Sequence, residues 1–155
     1  MNVVVMGVAG SGKTTIGRAL ASALGARFVE GDAAHPAANV AKMSAGVALT
    51  DDDRWPWLAR LRAELRSGDD IVLTCSALRR SYRDFLRHGD DVRFVFLDVD
   101  RATAAQRADL RADHFMGAGM IAGQFDALER PGFDENDVVT VDAGADIDTL
   151  VALRN

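Results

Sequence analysis

The run Gly7-Val8-Ala9-Gly10-Ser11-Gly12-Lys13-Thr14 constrains this chain more than any other feature. It follows the apolar stretch Val3-Val4-Val5-Met6. It opens into a segment with Ile16, Ala19, Leu20 and Ala23 at i, i+3, i+4 and i+7. Strand, G-x-x-x-x-G-K-[ST] turn and helix in that order predict a phosphate-binding loop. The glycines let successive amide N–H groups point into one concavity. Lys13 then reaches the β- and γ-phosphates of ATP, and the Thr14 hydroxyl holds Mg²⁺. Gly7 to Thr15 is the expected ATP-binding segment. The competing reading, a plain Gly-rich turn, explains neither Lys13 nor the strand and helix that flank it.

At 155 residues the chain is read as a single domain, 1–155, with a real core. Its net charge of −5 argues against a nucleic-acid surface. No apolar run approaches the roughly 18–20 residues of a membrane helix, and the first residues lack a basic, cleavable leader pattern. The single cysteine, Cys75, excludes an internal disulfide and fits a reducing cytoplasm. Of the 18 basic residues only Lys13 and Lys42 are lysines. A chain that otherwise uses arginine suggests a need for a compact ammonium at those places. For Lys42, a solvated surface role stands beside that reading.

Five short apolar runs read as strands: Val3–Met6, Phe28–Glu30, Ile71–Cys75, Val92–Val99 and Val138–Val141. Most are continuous rather than alternating, as in parallel strands buried on both faces. Helical stripes lie between them: Leu78, Tyr82, Phe85 and Leu86, then Ile121, Gln124, Phe125 and Leu128. Ile147, Leu150 and Val151 form a last one. The alternation predicts an α/β fold. Two long strandless gaps interrupt it. In the first, Thr50 and Asp53 look like the cap of a helix that Pro56 kinks or restarts. In the second, Met116 to Met120 reads as a mobile loop. The gaps are expected to form a substrate flap (about 33–67) and an ATP lid (about 107–124).

An acceptor site should lie at the carboxyl ends of strands beside the loop. The second strand ends in Glu30-Gly31-Asp32. Asp32 could orient or deprotonate an acceptor hydroxyl, and Glu30 could hold a water on Mg²⁺. A turn aspartate beside Gly31 is the alternative. The third strand leads into Ser76, Arg79, Arg80 and Arg83, which could pair with an anion or face solvent. Cys75 reads as a core residue. Asp98, ending the fourth strand, is a weaker candidate to support Mg²⁺. Arg107 and Arg111 share a helical face, and spacing alone favours a solvated one.

Three further segments resemble the gluconate kinase (gluconokinase) family, itself similar in fold to shikimate kinase. They are Gly31 to Leu58, Cys75 to Arg87, and Arg107 to Pro131. The resemblance implies a P-loop kinase sheet in order 2-3-1-4-5 and ATP-dependent phosphorylation of D-gluconate at its 6-hydroxyl. It implies that Asp32 sits beside that hydroxyl, and that Lys13, Asp32 and Arg111 are the catalytic set. His35, Asn39, Lys42 and Arg54 become parts of the substrate flap, with Ser76, Arg80, His114 and Gln124 completing the substrate site. Arg54 and the Gln124 region would hold the carboxylate. Arg107 and Arg111 become lid arginines. Homodimers are common in the family. The chain departs from the family pattern at Ala33, Ala34, Asp113 and Gly123. Two other readings stay open: a kinase for another sugar acid or a shikimate-like substrate, and a nucleotide-dependent switch. The D-x-x-G and N-K-x-D motifs usual in such switches do not occur.

Overall fold

The computed structural model describes residues 1–87, 91–109 and 118–142. Five strands form one parallel sheet: β1 (Asn2–Met6), β2 (Arg27–Glu30), β3 (Ile71–Thr74), β4 (Val92–Asp98) and β5 (Val138–Asp142), in the order β2-β3-β1-β4-β5. This is the expected order, and the strands match the apolar runs to within a residue at either end. Among the described residues, the α-helices are α1 (Lys13–Leu24), α2 (Ala37–Ser44), α3 (Asp51–Leu65), α4 (Arg80–Arg87), α5 (Arg101–Asp109) and α6 (Ala118–Ala127). The stripe at Ile147, Leu150 and Val151 lies outside the described residues.

The central strands β1 and β3 are largely apolar because both faces are covered, whereas the edge strands β2 and β5 carry charged or polar residues and are only partly buried. Val3 and Val5 of β1 pack with Leu20 and Ala21 of α1. Val4 and Met6 point the other way, onto Trp57, Leu58, Leu61 and Leu65 of α3. That period of two is what a strand imposes. On α1 the buried face carries Gly17, Leu20 and Ala21, with Ile16 and Leu24 beside it; Ala23 is exposed, contrary to the stripe read from sequence. A third cluster of Val8, Leu78, Val99, Ala104 and Ile121 seats α5 and α6 under the phosphate loop.

Helix α3 runs unbroken through Pro56. Its start is held by a capping box, in which Thr50 and Asp53 satisfy each other's backbone amides. Proline at the sixth helical position removes one hydrogen bond, and the burial of Trp57, Leu58, Leu61 and Leu65 outweighs it. Helix α6 begins at Ala118, so Ala118 to Met120 are helical where a loop is expected from the sequence. Residues 116 and 117 lie outside the described residues.

One buried ion pair braces the far side of the sheet. Arg83 donates Nε and Nη2 to the two carboxylate oxygens of Glu135, at 2.8 and 2.9 Å, with both side chains almost fully enclosed. Arg87 adds a 3.0 Å bond to the same carboxylate. Burial alone would raise the Glu135 pKa. The two arginines and the Gly132 amide overcome it and hold the carboxyl at about 2.

Glu135→Gln leaves Arg83 buried without its counter-charge, a loss of about 3–5 kcal/mol. For a domain of this size each kcal/mol lowers Tm by about 2–4 °C. Because the folded pKa is depressed, the contribution is complete above the ordinary carboxylate range and disappears as pH falls through about 2. Melts of parent and variant from pH 6 down to pH 2 should therefore converge on acidification. A constant gap would show that the charge is not what stabilises.

Candidate functional site

The phosphate loop joins β1 to α1. Lys13 Nζ lies across it, donating to the carbonyls of Gly7 and Val8 at 2.9 and 3.0 Å. The Gly7 amide donates to the Ser76 carbonyl at 3.2 Å, so the segment after β3 forms part of the floor. Two later helices touch the loop. Arg107 of α5 donates Nη1 to the Gly10 and Ser11 carbonyls, both at 3.3 Å. Gln124 of α6 accepts the Ala9 amide at 2.7 Å.

The loop fits a polyphosphate. The Ser11 hydroxyl is buried and has no hydrogen-bond partner among the described residues. A methyl built on Gly12 would enter open space, with only Arg107 Nη1 within 4 Å, at 3.8 Å. The backbone amides at the start of α1 and the Lys13 ammonium supply the complementary charge.

The metal-binding side also fits. Thr14 Oγ1 donates its proton to Glu30 Oε2 at 2.7 Å, which leaves the hydroxyl lone pairs for a hard cation. The other Glu30 oxygen accepts from Thr74 Oγ1 at 2.6 Å.

The opposite wall is the turn Gly31–Ala34, which carries Asp32 exposed at its surface. Helix α3 pins this turn at both ends. Trp57 Nε1 donates to the Gly31 carbonyl at 2.8 Å, and Arg60 Nη1 donates to the Ala34 carbonyl at 3.0 Å. Only glycine fits at position 31, where a Cβ would lie 1.8 Å from the Thr74 carbonyl oxygen. Asp32 is thereby set directly beyond a backbone contact between β2 and β3.

His35 stacks on Trp57 with ring centroids 4.1 Å apart. The Asn39 amide nitrogen donates to the Asp53 carbonyl at 2.9 Å and lies 3.2 Å from His35 Nδ1. A carbonyl only accepts, so the atom facing Nδ1 is the amide donor, and the imidazole carries its proton on Nε2. Burial lowers the His35 pKa, the nearby Arg54 charge lowers it further, and Asp32 opposes both. The imidazole is thus a neutral group beside a carboxylate and a guanidinium. Arg54 donates to the Leu49 carbonyl at 2.8 Å and to the Tyr82 hydroxyl at 3.4 Å, over the face of that ring. Tyr82 in turn donates to Asp51.

The remaining candidates are placed less directly. Lys42 pairs with Asp53 at 2.7 Å, tying α2 to the cap of α3. That contact and the Thr50 amide hold the Asp53 carboxyl at about 2. Arg80 pairs with Asp134 at 2.8 Å, and Arg79 faces Asp51 and Glu129. Asp98 is engaged by Arg130 at 2.5 Å. Cys75 is buried, and burial pushes its thiol up to about 12, as suits a core residue. Arg111 and His114 lie outside the described residues. Trp57 and Thr74 were not legible as site residues. The Trp55-Pro56-Trp57 run is the one signal that a large ring sits beside the Asp32 turn; nothing marks Thr74 apart from its place at the end of β3.

The AAA domain family matches residues 3–130. The thermosensitive gluconokinase of Escherichia coli (strain K12) is 46% identical over 93% of this chain and 80% of its own length. A crystal structure of a gluconokinase from Sinorhizobium meliloti 1021 is 46% identical, with a TM-score of 0.86 over 97% of this chain and 87% of that one. A shikimate kinase from Bacteroides thetaiotaomicron, 17% identical, shares the fold alone, with a TM-score of 0.68 over 99% of this chain and 96% of that one. A phosphate loop and a pinned Asp32 turn beside His35 and Arg54, on a sheet in this order and at this level of identity, place the chain: it belongs to the gluconokinase family of P-loop kinases.

Proposed function

We propose that the chain transfers the γ-phosphoryl group of ATP to the 6-hydroxyl of D-gluconate, giving 6-phosphogluconate and ADP. The observation that carries this reading is the flap: Asp32, His35 and Arg54 are gathered by α3 on the side of the site opposite the phosphate loop. Asp32 accepts the proton of the 6-hydroxyl as its oxygen bonds to phosphorus, and the bond from phosphorus to the β-phosphate oxygen breaks. Lys13 neutralises charge that builds on the leaving side. His35, neutral with Nε2–H available, donates to a sugar hydroxyl. Arg54 holds the carboxylate. Mg²⁺, held through Thr14 Oγ1 with Glu30 behind it, would screen the β- and γ-phosphate charges. Arg107 and Arg111 belong to a lid that shields the phosphates from water.

The same reading puts the enzyme in the cytoplasm as a homodimer, acting on a small molecule without nucleic acid or membrane. No helix among the described residues is long and apolar enough to cross a membrane. Size-exclusion chromatography with light scattering tests the dimer.

The decisive assay is ADP release with D-gluconate, shikimate, other sugar acids or nucleoside monophosphates as acceptor, with ATP or GTP as donor. Release that requires gluconate and ATP is expected. A preference for GTP with no acceptor dependence would favour a switch. Arg54→Ala should raise KM for gluconate roughly 10- to 100-fold, the worth of a charge-assisted contact, and leave KM for ATP nearly unchanged. Equal effects on both substrates would remove Arg54 as the carboxylate clamp.

A further inference from the structure

We propose that Thr74 is a positioning residue for both halves of this site, acting through its hydroxyl on Glu30 and on Gly31. The proposal rests on the reading of Glu30 as the carboxylate behind a bound divalent cation.

Thr74 is the last residue of β3 and is buried. Its hydroxyl has one proton and two lone pairs. The proton goes to Glu30 Oε1 at 2.6 Å, and a lone pair takes the Gly31 amide at 3.0 Å. One oxygen atom therefore fixes the end of a side chain and the start of the next backbone turn. Glu30 needs that support. Its Oε2 takes the Thr14 proton at 2.7 Å, so the carboxylate is strung between two threonine hydroxyls. With Oε1 anchored on the sheet, Oε2 is held where it turns the Thr14 proton away from the phosphate side and leaves the lone pairs facing it.

On the other branch, the Gly31 amide is the first donor of the turn that carries Asp32. Without the Thr74 hydroxyl, that amide has no partner in a place too tight for any Cβ. Groups that orient a metal's ligands typically change metal affinity by about 10- to 100-fold when removed.

Valine and serine separate the hydroxyl from the methyl group. Thr74→Val keeps the branched shape and removes the oxygen. Thr74→Ser keeps the oxygen and removes the methyl that packs near Gly17. The test is calorimetric ADP binding with Mg²⁺ and with EDTA, well below each variant's melting temperature, and without gluconate. The parent should bind ADP more tightly with Mg²⁺. Thr74→Val should lose about tenfold of that enhancement and keep the EDTA affinity within twofold, and Thr74→Ser should keep the enhancement. In turnover, Thr74→Val should also need about tenfold more Mg²⁺ for half-maximal rate. An unchanged enhancement in Thr74→Val overturns the proposal. So does a loss in Thr74→Ser as large as that in Thr74→Val, which would make Thr74 a packing residue. Gluconate-dependent ADP release by the parent is scored separately, so failure of the gluconate reading does not mimic either result.

Discussion

Lys13→Ala is expected to abolish measurable phosphoryl transfer while the protein stays folded. In the structure the ammonium bridges the Gly7 and Val8 carbonyls, so it lies over the mouth of the cradle and not in the core. Gly7 and Val8 are buried, so their two carbonyls lose a donor at a cost of about 1–3 kcal/mol, which a fold stable by about 5–15 kcal/mol can bear. The transition state loses much more. Charge grows on the bridging and β-phosphate oxygens as the bond to phosphorus breaks, and a fixed cation stabilises that state above the ground state. A cation on the transferring group is worth about 10³-fold or more in kcat. Stopped or steady-state ADP release, with circular dichroism and a thermal melt as fold controls, measures it. A folded variant with parental kcat would refute the phosphate-loop assignment.

The second large effect is expected for Asp32→Asn. Asp32 is exposed at the surface of a turn that is itself held at both ends by Trp57 and Arg60. Its backbone place depends on Gly31 and not on its own side chain, so the amide variant should fold and hold the same position. An amide can align a hydroxyl and cannot take its proton. General base catalysis contributes about 10²- to 10⁴-fold, and a kcat loss on that scale is expected, with ATP affinity changed little. The loss should be shallower at high pH, where the acceptor hydroxyl needs less help. Activity within a few-fold of the parent, flat with pH, would make Asp32 a turn residue and move the base elsewhere.

The two predictions stand differently toward the sequence. Lys13 and Thr14 could be read directly because a phosphate loop is local: its glycines, lysine and threonine are consecutive and their geometry follows from the strand and helix on either side. The central strands were readable for the same reason, since a strand buried on both faces is apolar along most of its length, and the edge strands β2 and β5 showed shorter apolar runs. The strandless gap after β2 pointed to a substrate-binding segment, but the grouping of His35 and Arg54 with Asp32 was legible only by family likeness. Nothing in the residues around Asp32 shows that Trp57, 25 positions later, lies under the turn and stacks on His35. Such contacts depend on how α3 crosses the sheet, which no local pattern encodes. Ala23 and Pro56 show the limit from the other side. Alanine is small enough to sit on either face of α1, so its place in a periodic stripe carried little information. The proline near the start of α3 cost one hydrogen bond that core burial could outweigh. Lys42 and Arg80 belong to a third kind: each meets a carboxylate far away in sequence, and no spacing foretells Asp53 or Asp134.

The position of β3 between β1 and β2 has a consequence for which acceptors such a site can serve. Neighbouring strands lie about 4.8 Å apart, so the strand that launches the phosphate loop and the strand that launches Asp32 are held about 10 Å apart. That interval is a ruler made of backbone hydrogen bonds, and no side-chain substitution shortens it. Changes on α2 and α3 can alter which groups an acceptor must display. They cannot alter how far the Asp32 end of β2 stands from the phosphate loop, the gap in which the reacting hydroxyl must sit. The sheet therefore fixes where phosphoryl transfer happens, while α2 and α3 set how much acceptor fits behind it, and a redesign toward a shorter or longer acid must move those helices and can leave the sheet alone.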